Sequence, residues 1–355
     1  MRILILTRYE RLGSSSRVRF YQYIPYLASN NVEVTVAPLL GDDYVRGLYE
    51  GRRPSLFSIL AAYARRIRWM MKSSSFDLIW LEKELLPFAP AWGEMILEKM
   101  GIPYVVDYDD AVFHRYDLHR NRWIRFLLGK KIKRVMQYAA LVVVGNDYLK
   151  DHAIRSGAKR VAYLPSVVDG ARYLPTGKPA HSPFIIGWIG SPVTAPFLDA
   201  IRPSLETLVH QGGAEIILVG SGGIDSLAQI PKTNLPWSEE METSISGKFD
   251  VGIMPLPDGP FEKGKCGYKL IQYMAAGLPV VASAVGINRR IVDHGVNGFL
   301  ADSESEWTHA LEFLRDNPEA GRQMGSAGRI KFESEFDLKV TAPQLLALLK
   351  QAARP

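Results

Sequence analysis

The sequence predicts an α/β protein built from two doubly wound parallel sheets, each covered by helices. Three observations lead to this prediction. The length of 355 residues suits two domains. Short apolar runs rich in β-branched residues recur along the chain, and segments with helical spacing lie between them. Alternation of continuous apolar strands with helices is typical of parallel sheets whose two faces are both covered.

The predicted elements follow this alternation in both halves. In the first half, the strands are expected at Ile3–Leu6, Val32–Ala37, Leu78–Leu81, Tyr104–Val106 and Leu141–Val144, and the helices at 17–29, 55–72, 88–100, 121–139 and 147–156. In the second half, the strands are expected at Phe184–Ile189, Glu215–Val219, Val251–Met254, Val280–Ala282 and Phe299–Leu300, and the helices at 195–210, 238–246, 268–276, 304–316 and 319–334.

A Pro- and Gly-rich stretch separates the two halves and indicates a linker. The predicted boundaries are an N-terminal domain at 1–170, the linker at 171–183, a C-terminal domain at 184–335, and a C-terminal segment at 336–355. A helix within this last segment, at 340–353, could cross back to the N-terminal domain.

Composition excludes several classes of protein. Apolar residues make up 47% and charged residues 23% of the chain, as in ordinary globular proteins. The single cysteine, Cys266, excludes an internal disulfide and a four-cysteine zinc site. The apolar run near the N-terminus is too short for a signal peptide, and no run reaches the ~20 residues of a membrane span. We therefore expect a soluble cytoplasmic protein.

The positive charge is concentrated in the first half. Residues 1–170 contain 26 Lys and Arg against 17 Asp and Glu, a net charge of +9, whereas residues 171–355 contain 17 against 20, a net charge of −3. Two basic stretches, 59–72 and 119–138, also contain Trp, Phe or Met. They indicate either peripheral contact with the anionic inner face of the cytoplasmic membrane or ordinary solvated helix faces. No recognition motif for nucleic acid accompanies them, so no nucleic acid partner is expected.

Glycines follow three of the predicted strands, where a doubly wound sheet binds its ligands. Gly13 precedes three serines, Gly190 is followed by Ser191, and Gly220 ends a strand of the second half. Such positions suit close approach of an oxygen-rich or phosphate ligand. The alternative is a set of tight turns with serine caps. The pattern Gly-x-Gly-x-x-Gly is absent here, so the dinucleotide-binding fingerprint is not expected.

The segment from Lys263 to Ser283 combines a glycine-bearing loop, a helix and a strand. The backbone of Gly267 and Tyr268 would point amide donors at a phosphate from the helix N-terminus. Lys265 and Lys269 add positive charge there, where a departing diphosphate needs stabilisation. Gln272 lies one turn further along the helix and could reach a ribose. The alternative is a solvated basic helix start.

Together with Gly286, Gly295, Asn297 and Gly298, this segment resembles the C-terminal signature of glycosyltransferase family 4, a bacterial group 1 glycosyltransferase family. The resemblance implies a retaining enzyme of the GT-B fold, with two Rossmann-like doubly wound domains facing across a cleft. It also implies donor binding in the C-terminal domain and acceptor binding in the N-terminal domain. The family's two glutamates are replaced by Gly264 and Gln272, and Glu262 could substitute for the first.

Carboxylates that follow strands of the first half are candidates for acceptor binding. Asp109 and Asp110 lie after the Tyr104 strand, with His114 close behind, and Glu84 follows the Leu78 strand. Their side chains could hold acceptor hydroxyls. Helix capping is the alternative for both aspartates. An Asp-x-Asp pattern also occurs in metal-dependent transferases of another fold, but no metal is expected here.

The predicted function is transfer of a sugar, with retention, from a nucleotide-sugar donor to a glycan or lipid-linked acceptor in the synthesis of surface polysaccharide or glycolipid (EC 2.4 class). The predicted catalytic residues are Lys265, Lys269 and Asp109. The predicted donor-binding residues are Gly13, Gly190, Ser191, Gly220, Glu262, Cys266, Gly267, Tyr268 and Gln272. The predicted acceptor-binding residues are Glu84, Asp110 and His114. No cofactor is expected, and a UDP- or GDP-sugar is the expected donor. The alternatives are a nucleotide-sugar epimerase of the same fold and a non-catalytic nucleotide-sugar-binding subunit.

Overall fold

The computed structural model describes residues 1–52, 54–173, 183–222 and 227–354, with the side chains of Tyr49 and Ser246 left out. Most of the predicted linker, residues 174–182, lies outside these described residues. The chain divides into two compact units. The N-terminal unit contains Met1–Ser166, Lys263–Cys266 and the chain from Thr341 onward, and the C-terminal unit contains Val167–Glu262 and Gly267–Val340.

The N-terminal unit contains a six-stranded parallel sheet with strand order β2-β1-β3-β4-β5-β6. The strands are β1 (Arg2–Leu6), β2 (Glu33–Val36), β3 (Leu78–Glu82), β4 (Tyr104–Tyr108), β5 (Leu141–Val144) and β6 (Val161–Tyr163). The helices are α1 (Ser14–Arg19), α2 (Ile24–Ser29), α3 (Asp42–Tyr49), α4 (Leu56–Met71), α5 (Trp92–Lys99), α6 (His114–Asp117), α7 (Arg122–Leu128), α8 (Lys131–Tyr138) and α9 (Asp147–Ser156). Strands β3, β4 and β5 are buried along their whole length, as expected for strands covered on both faces.

The C-terminal unit repeats this architecture in a second six-stranded parallel sheet of order β12-β11-β10-β7-β8-β9. Its strands are β7 (Phe184–Ile189), β8 (Ala214–Val219), β9 (Thr233–Leu235), β10 (Val251–Met254), β11 (Val280–Ala282) and β12 (Gly298–Leu300). Its helices are α10 (Arg202–His210), α11 (Glu239–Thr243), α12 (Tyr268–Ala275), α13 (Asn288–Ile291), α14 (Glu304–Asp316) and α15 (Pro318–Lys331), and α16 (Leu338–Ala352) begins in this unit and continues in the other. A 3₁₀ segment at Ala195–Ile201 precedes α10, and a π-helical segment at Phe332–Phe336 follows α15.

The fold agrees with the predicted class of two doubly wound parallel sheets, and the differences have local causes. The short strands β6 and β9 were not predicted, because each has only three residues and none of them is buried. The helix predicted over 121–139 is divided into α7 and α8. Gly129 ends α7, where a side chain would place its Cβ 2.4 Å from the Arg125 carbonyl oxygen. Glycine therefore permits the tight connection between the two helices.

Two segments join the N-terminal unit from distant parts of the sequence. Lys263–Cys266 belongs to it, although the sequence prediction placed these residues in the C-terminal domain. The chain from Thr341 onward also belongs to it, and Tyr23 Oη lies 3.1 Å from Thr341 Oγ1 in a buried hydrogen bond. In the part of the chain that the structure describes, no helix has both the length and the apolar character needed to cross a bilayer.

Candidate functional site

The carboxyl ends of β1, β3, β4 and β5 bring a dense set of charged side chains to one edge of the N-terminal sheet. Five charged residues lie at the ends of β3 and β4 or in the segments that follow: Glu82, Lys83, Glu84, Asp109 and Asp110. Glu82 accepts a hydrogen bond from Ser16, and the other four form ion pairs with one another or with a nearby cation. Buried charges are stable in proteins only when they are paired and hydrogen-bonded. At this edge Lys83 is paired with Asp109 and Asp110, and Glu84 is paired with Lys131.

Lys83 forms ion pairs with both Asp109 and Asp110 at this edge, although it was not predicted from the sequence as a site residue. Its Nζ lies 2.8 Å from Asp109 and 3.3 Å from Asp110, and its side chain is 8% exposed. Its backbone has φ of +62°, a conformation that non-glycine residues rarely adopt and that clusters at functional sites. Burial opposes the charge on Lys83, but the two carboxylates outweigh it and raise the pKa of the ammonium group.

Asp110 is held between two ammonium groups. Its Oδ1 accepts a hydrogen bond of 2.8 Å from Lys265 Nζ, and its Oδ2 accepts one of 3.3 Å from Lys83 Nζ. Burial would raise the pKa of Asp110, but Lys265 and Lys83 outweigh that effect and lower it well below its usual range. Asp110 is therefore an ionised hydrogen-bond acceptor at neutral pH. The neighbouring Asp109 also forms an ion pair with Lys83.

Glu84 differs from its predicted role as an acceptor-binding residue. The residue is buried, and its carboxylate accepts hydrogen bonds from Tyr116 Oη at 2.7 and 2.9 Å. It also forms an ion pair with buried Lys131, and Arg8 lies 3.6 Å away. Because these groups surround the carboxylate, the structure gives Glu84 a structural role. No signal in the sequence distinguished it from the more exposed Asp110.

A second buried ion pair, also missed by the sequence analysis, fixes the end of β4. Arg19 on α1 donates to Asp107 through Nε at 2.8 Å and through Nη2 at 3.2 Å. Its Nη1 donates to the carbonyl oxygens of Leu164 and Pro165 at 3.0 and 2.8 Å. This guanidinium therefore joins α1, β4 and the chain after β6. An arginine inside a serine-rich helix start was the only available sequence signal.

His114 is held through both ring nitrogens. Nδ1 lies 2.8 Å from Asp117 Oδ1, and Nε2 lies 2.7 Å from Tyr148 Oη. The ring also packs edge-on against Phe113, with centroids 4.5 Å apart. These contacts orient His114 within the N-terminal unit, and binding of an acceptor to it stays a prediction.

Gly13 lies immediately before α1, as predicted, and packs against the preceding loop. A side chain there would place its Cβ 2.3 Å from Tyr9 Cβ, so the close approach requires glycine. The three serines that follow are not equivalent. Ser16 is buried and donates to Glu82 Oε2 at 2.6 Å, whereas Ser15 Oγ accepts a hydrogen bond of 3.3 Å from Lys83 Nζ. Ser15 thus faces the charged edge.

The segment Lys263–Cys266 is anchored by Asn146. Asn146 caps α9 by accepting from Leu149 N at 2.8 Å, and its amide donates to the carbonyl oxygen of Lys265 at 2.9 Å. Cys266 differs from its predicted role in donor binding, because its side chain is 6% exposed and belongs to the core of the N-terminal unit. Burial raises the pKa of the Cys266 thiol, which keeps it neutral.

Gly264 explains why the family glutamate is absent at this position. A side chain at Gly264 would place its Cβ 2.4 Å from Ala111 Cβ and 2.5 Å from Ala111 N. Ala111 is fully buried, so it cannot move aside without disturbing the core. The position therefore excludes a carboxylate. Glu262, the predicted substitute, is partly exposed in the C-terminal unit and lies next to Gly259.

In the C-terminal unit, two glycines line the carboxyl edge of the sheet. Gly190 follows β7, and Gly220 follows β8 with φ of +79°. A Cβ on Gly220 would lie 2.4 Å from the Gly190 carbonyl oxygen, so the two loops pass close together. Ser191 forms the turn after Gly190, and its carbonyl oxygen accepts from Thr194 N at 2.9 Å. Backbone thus forms much of this edge.

Lys269 brings positive charge to the same edge. Its Nζ lies 4.3 Å from the centre of the Trp188 ring and donates to Thr194 Oγ1 at 3.2 Å. A Cβ on Gly190 would lie 2.9 Å from this ammonium group. The cation–π contact fixes the ammonium position beside the glycine loop. The predicted partner Lys265 belongs to the other unit.

Lys269 is the second residue of α12, so it belongs to the first turn of this helix. Gly267 precedes the helix with φ of +66°, and a Cβ there would lie 2.2 Å from Ile291 Cδ1. The first hydrogen bonds of the helix run from Leu270 N and Ile271 N to the Gly267 carbonyl oxygen. The amides of Tyr268 and Lys269 precede those bonds, as the first amides of a helix do. Such amides favour anions.

Gln272 and Tyr268 take part in a buried polar cluster. Glu242 accepts from Tyr268 Oη at 2.6 Å, from Tyr173 Oη at 3.1 Å and from Trp237 Nε1 at 3.2 Å. Gln272 is 2% exposed, and its Nε2 donates to Tyr173 Oη at 3.2 Å. Its amide is therefore not the accessible group that the sequence analysis expected, and contact with a ribose stays a prediction.

A cavity of about 700 Å³ lies beside β2 and α4 in the N-terminal unit. Its polar lining includes Glu10, Asp42, Asp43, Arg46 and Arg65, and Trp69 contributes an aromatic surface. Arg65 and Trp69 belong to the basic stretch 59–72 singled out from the sequence, but no residue of this cavity was predicted to bind donor or acceptor. Among the described residues, no group of three or more His, Cys, Asp or Glu side chains is arranged to hold a metal ion.

Comparisons with known proteins agree with the architecture. Sucrose-phosphate synthase from Thermosynechococcus elongatus superimposes with a TM-score of 0.73 at 16% identity, over 99% of this chain and 98% of that one. The Anabaena protein HepE in complex with UDP-glucose gives a TM-score of 0.73 at 16% identity, over 99% of this chain and 100% of that one. The two doubly wound sheets and these likenesses define the GT-B fold, which confirms the predicted fold class.

A family match lies in the C-terminal half of the chain. Residues 184–317 match the family described as "Glycosyl transferases group 1". The chain is 32% identical over 105 residues to a D-inositol 3-phosphate glycosyltransferase of Thermobispora bispora and 34% identical over 87 residues to one of Pseudarthrobacter chlorophenolicus. These matches cover 29% and 24% of this chain, and only 23% and 20% of the relatives. The predicted resemblance to group 1 glycosyltransferases is confirmed for residues 184–317.

Proposed function

We propose that the chain is a metal-independent retaining glycosyltransferase, which moves a sugar from a nucleotide-sugar donor to a hydroxyl of a glycan or lipid-linked acceptor. The match of residues 184–317 to the group 1 glycosyltransferases supports this proposal. The observation that carries it is the position of the Lys269 ammonium group beside Gly190 and next to the start of α12. HepE, which shares the fold, is known with UDP and UDP-glucose, which supports a UDP-sugar as donor.

The donor diphosphate would lie along the carboxyl edge of the C-terminal sheet. Gly190 and Gly220 let their two loops pass close together, and a phosphate would meet the backbone of Gly190, which is only partly buried. The Lys269 ammonium and the first amides of α12 would stabilise the negative charge that develops on the departing diphosphate. Ser191 lies in the same turn and offers a hydroxyl donor. Binding of the diphosphate would thus depend on hydrogen-bond donors that are already in position before the ligand arrives.

The acceptor would bind in the N-terminal unit. Asp109 and Asp110 are oriented by Lys83, and their remaining lone pairs can accept hydrogen bonds from sugar hydroxyls. The cavity beside β2 and α4 offers further polar groups and the Trp69 ring, which suits the polar and apolar surfaces of a sugar. Because the pKa of Asp110 is low and that of Lys83 is high, neither group would exchange a proton with the acceptor at neutral pH.

Front-face transfer with retention fits these properties. The bond between the anomeric carbon and the phosphate oxygen breaks, and the bond from that carbon to the acceptor oxygen forms on the same face. The proton of the acceptor hydroxyl passes to the departing phosphate oxygen. No protein base is required, so the contribution of the protein is positioning and charge stabilisation.

A thermal-shift series on the full chain tests donor binding. UDP, GDP, ADP, CMP and dTDP would each be added with their sugar derivatives, and the matching nucleotide should raise Tm because it binds only the folded state. Lys269→Ala should abolish this shift and lower transfer by ~10²-fold. Lys248→Ala, at the amino end of the same sheet before β10, is the matched control and should retain both. Absence of a shift with every nucleotide would contradict the proposal.

The Gly264 position favours one alternative, a non-catalytic subunit that binds a nucleotide sugar. The steric exclusion of a carboxylate by Ala111 removes a group that the resemblance associates with the donor sugar. The two functions differ in their products. A nucleotide-dependent shift without transfer and without donor hydrolysis would support the subunit, and a new donor epimer formed without acceptor would indicate an epimerase. Sugar transferred to an added acceptor would support the proposed function.

A further inference from the structure

Helix α4 has two apolar faces, and only one of them packs against the protein. On its inner face Ala62 is buried, and Ile59 and Tyr63 pack beside it. On the outer face, Phe57, Leu60, Ile67 and Met71 are 81%, 59%, 47% and 80% exposed. Their spacing of three, seven and four residues places them in one stripe along the helix. A stripe of large apolar side chains in water requires an explanation.

The same pattern occurs on α7. Leu128 is buried, whereas Trp123, Phe126 and Leu127 are 64%, 80% and 68% exposed. The three exposed residues are spaced i, i+3 and i+4, so they share one face of the helix. This second apolar face points away from the core of the N-terminal unit.

Phe88 lies between the two helices. Tyr63 Oη of α4 donates to the Pro87 carbonyl oxygen at 2.5 Å, and the Phe88 ring lies 6.5 Å from the His119 ring just before α7. Phe88 is 51% exposed and has φ of +56°, a backbone conformation that is unfavourable for a residue with a large side chain. The loop therefore holds an aromatic side chain at the surface at an energetic cost. We call the outer faces of α4 and α7 together with Phe88 the docking face.

The two chain segments that contain α4 and α7 have charged residues of one sign. Residues 51–76, which include α4, contain six Lys and Arg and no Asp or Glu. Residues 118–146, which include α7, contain seven Lys and Arg and no Asp or Glu. Arg66 and Lys131 are buried, and the basic residues at the surface include Arg65, Arg68, Lys72, Arg122 and Arg125. Exposed apolar side chains flanked by basic ones fit a bilayer whose headgroups are anionic.

The surface of the C-terminal unit lacks this feature. Of the 18 exposed large apolar side chains among the described residues, 15 belong to the N-terminal unit, and only Val193, Val296 and Ile330 belong to the other. Scattered apolar residues are normal on protein surfaces, whereas a cluster marks an interaction site. The docking face is such a cluster.

We propose that the docking face binds anionic phospholipid membranes, with the apolar side chains of α4, α7 and Phe88 inserted among the acyl chains and the basic side chains bound to the headgroups. A second copy of this chain fits less well, because two faces built on segments rich in Lys and Arg would repel each other. The inference rests on this surface alone and does not depend on the proposed nucleotide-sugar site.

Flotation with lipid vesicles tests the proposal without any enzymatic turnover. The full chain should float with vesicles of equal parts phosphatidylcholine and phosphatidylglycerol, and binding should weaken with added salt. It should not float with phosphatidylcholine alone. The triple variant Phe57→Ser, Met71→Ser, Phe126→Ser should lower partitioning by ~10-fold or more. The double variant Val296→Ser, Ile330→Ser removes exposed apolar groups of the C-terminal unit and should bind like the wild type.

Folding and self-association are measured on the same samples. The substituted side chains are exposed, so the far-UV spectrum and Tm of the triple variant should match those of the wild type. Absence of flotation with anionic vesicles, equal binding to neutral vesicles, or equal loss in both variants would overturn the proposal. It would also be overturned by sedimentation equilibrium in which the wild type dimerises and the triple variant does not, because a second copy would then cover the face.

Discussion

The two units present different chemistry at the carboxyl ends of very similar sheets. In the N-terminal unit, buried side chains fill this edge with ion pairs, such as Arg19 with Asp107 and Lys83 with Asp109. In the C-terminal unit, the loops after β7 and β8 contain Gly190 and Gly220, and Lys269 places its ammonium group beside them. One architecture therefore supports two kinds of site, one built from oriented side chains and one built largely from close-packed glycine loops.

This difference predicts different sensitivities to mutation. A site of paired charges fails when one partner is removed, because the other is left buried and uncompensated. A site of close-packed glycine loops fails when a side chain is added to one of those glycines. The following variants test these expectations.

The largest effect is expected for Arg19→Met. This change leaves Asp107 buried without its guanidinium partner and removes two hydrogen bonds to backbone carbonyl oxygens. The free energy of unfolding should fall by about 3–5 kcal/mol, as measured by urea denaturation. The double variant Arg19→Met, Asp107→Leu should recover much of the loss, because no charge remains buried. If the double variant is less stable than the single one, the role assigned to the ion pair is wrong.

A smaller effect is expected for Gly220→Ala. The alanine would adopt φ of +79° and its Cβ would meet the Gly190 carbonyl oxygen at 2.4 Å. Stability should fall by about 1–3 kcal/mol, and the Tm shift produced by the matching nucleotide should disappear. Gly212→Ala is the control, because φ there is also +79° but the space around it is open. An unchanged nucleotide shift in Gly220→Ala would contradict the backbone-lined site.

Asp110 predicts a pH dependence of stability. Its pKa is lower in the folded chain than the ordinary value near 4, because Lys265 and Lys83 stabilise the ionised form. Its contribution to stability is therefore complete above about pH 4 and is lost as the pH falls below that value. Relative to Asp110→Asn, the wild type should lose about 1 kcal/mol on acidification through this range. Parallel curves of the two proteins would exclude such a contribution.

A second pH dependence is expected at His152, which packs in the N-terminal unit with its ring stacked on Phe113. Burial lowers the pKa of His152 to about 4, below its ordinary value of about 6.5. The unfolded chain therefore binds more protons between these values, so stability should decrease as the pH falls from about 6.5 to 4. His152→Phe should remove this part of the dependence. The slopes of the free energy of unfolding against pH should differ between the two proteins only within that window.

Much of the fold could be predicted from the sequence, because apolar periodicity reports directly on burial. Strands β5, β7, β10 and β11 have the predicted bounds, as do helices α9 and α14. Fewer of the contacts in the candidate site could be predicted from the sequence. Lys83 and Arg19 depend on partners that are distant in sequence, and the burial of Glu84 and Gln272 depends on neighbours such as Lys131 and Tyr173. A single sequence gives no distance between such residues.

The composition of the N-terminal unit also bears on how the protein can be divided. Lys263–Cys266 and the chain from Thr341 onward complete that unit, although they lie far from its first 166 residues in sequence. A fragment that stops at Ser166 would lack the backbone groups to which the Asn146 amide donates, and it would lack the hydroxyl of Thr341 that meets Tyr23. A fragment that ends at Ser166 therefore lacks contacts of the complete unit, and recombination that exchanged the first half between relatives would have to carry both distant segments with it.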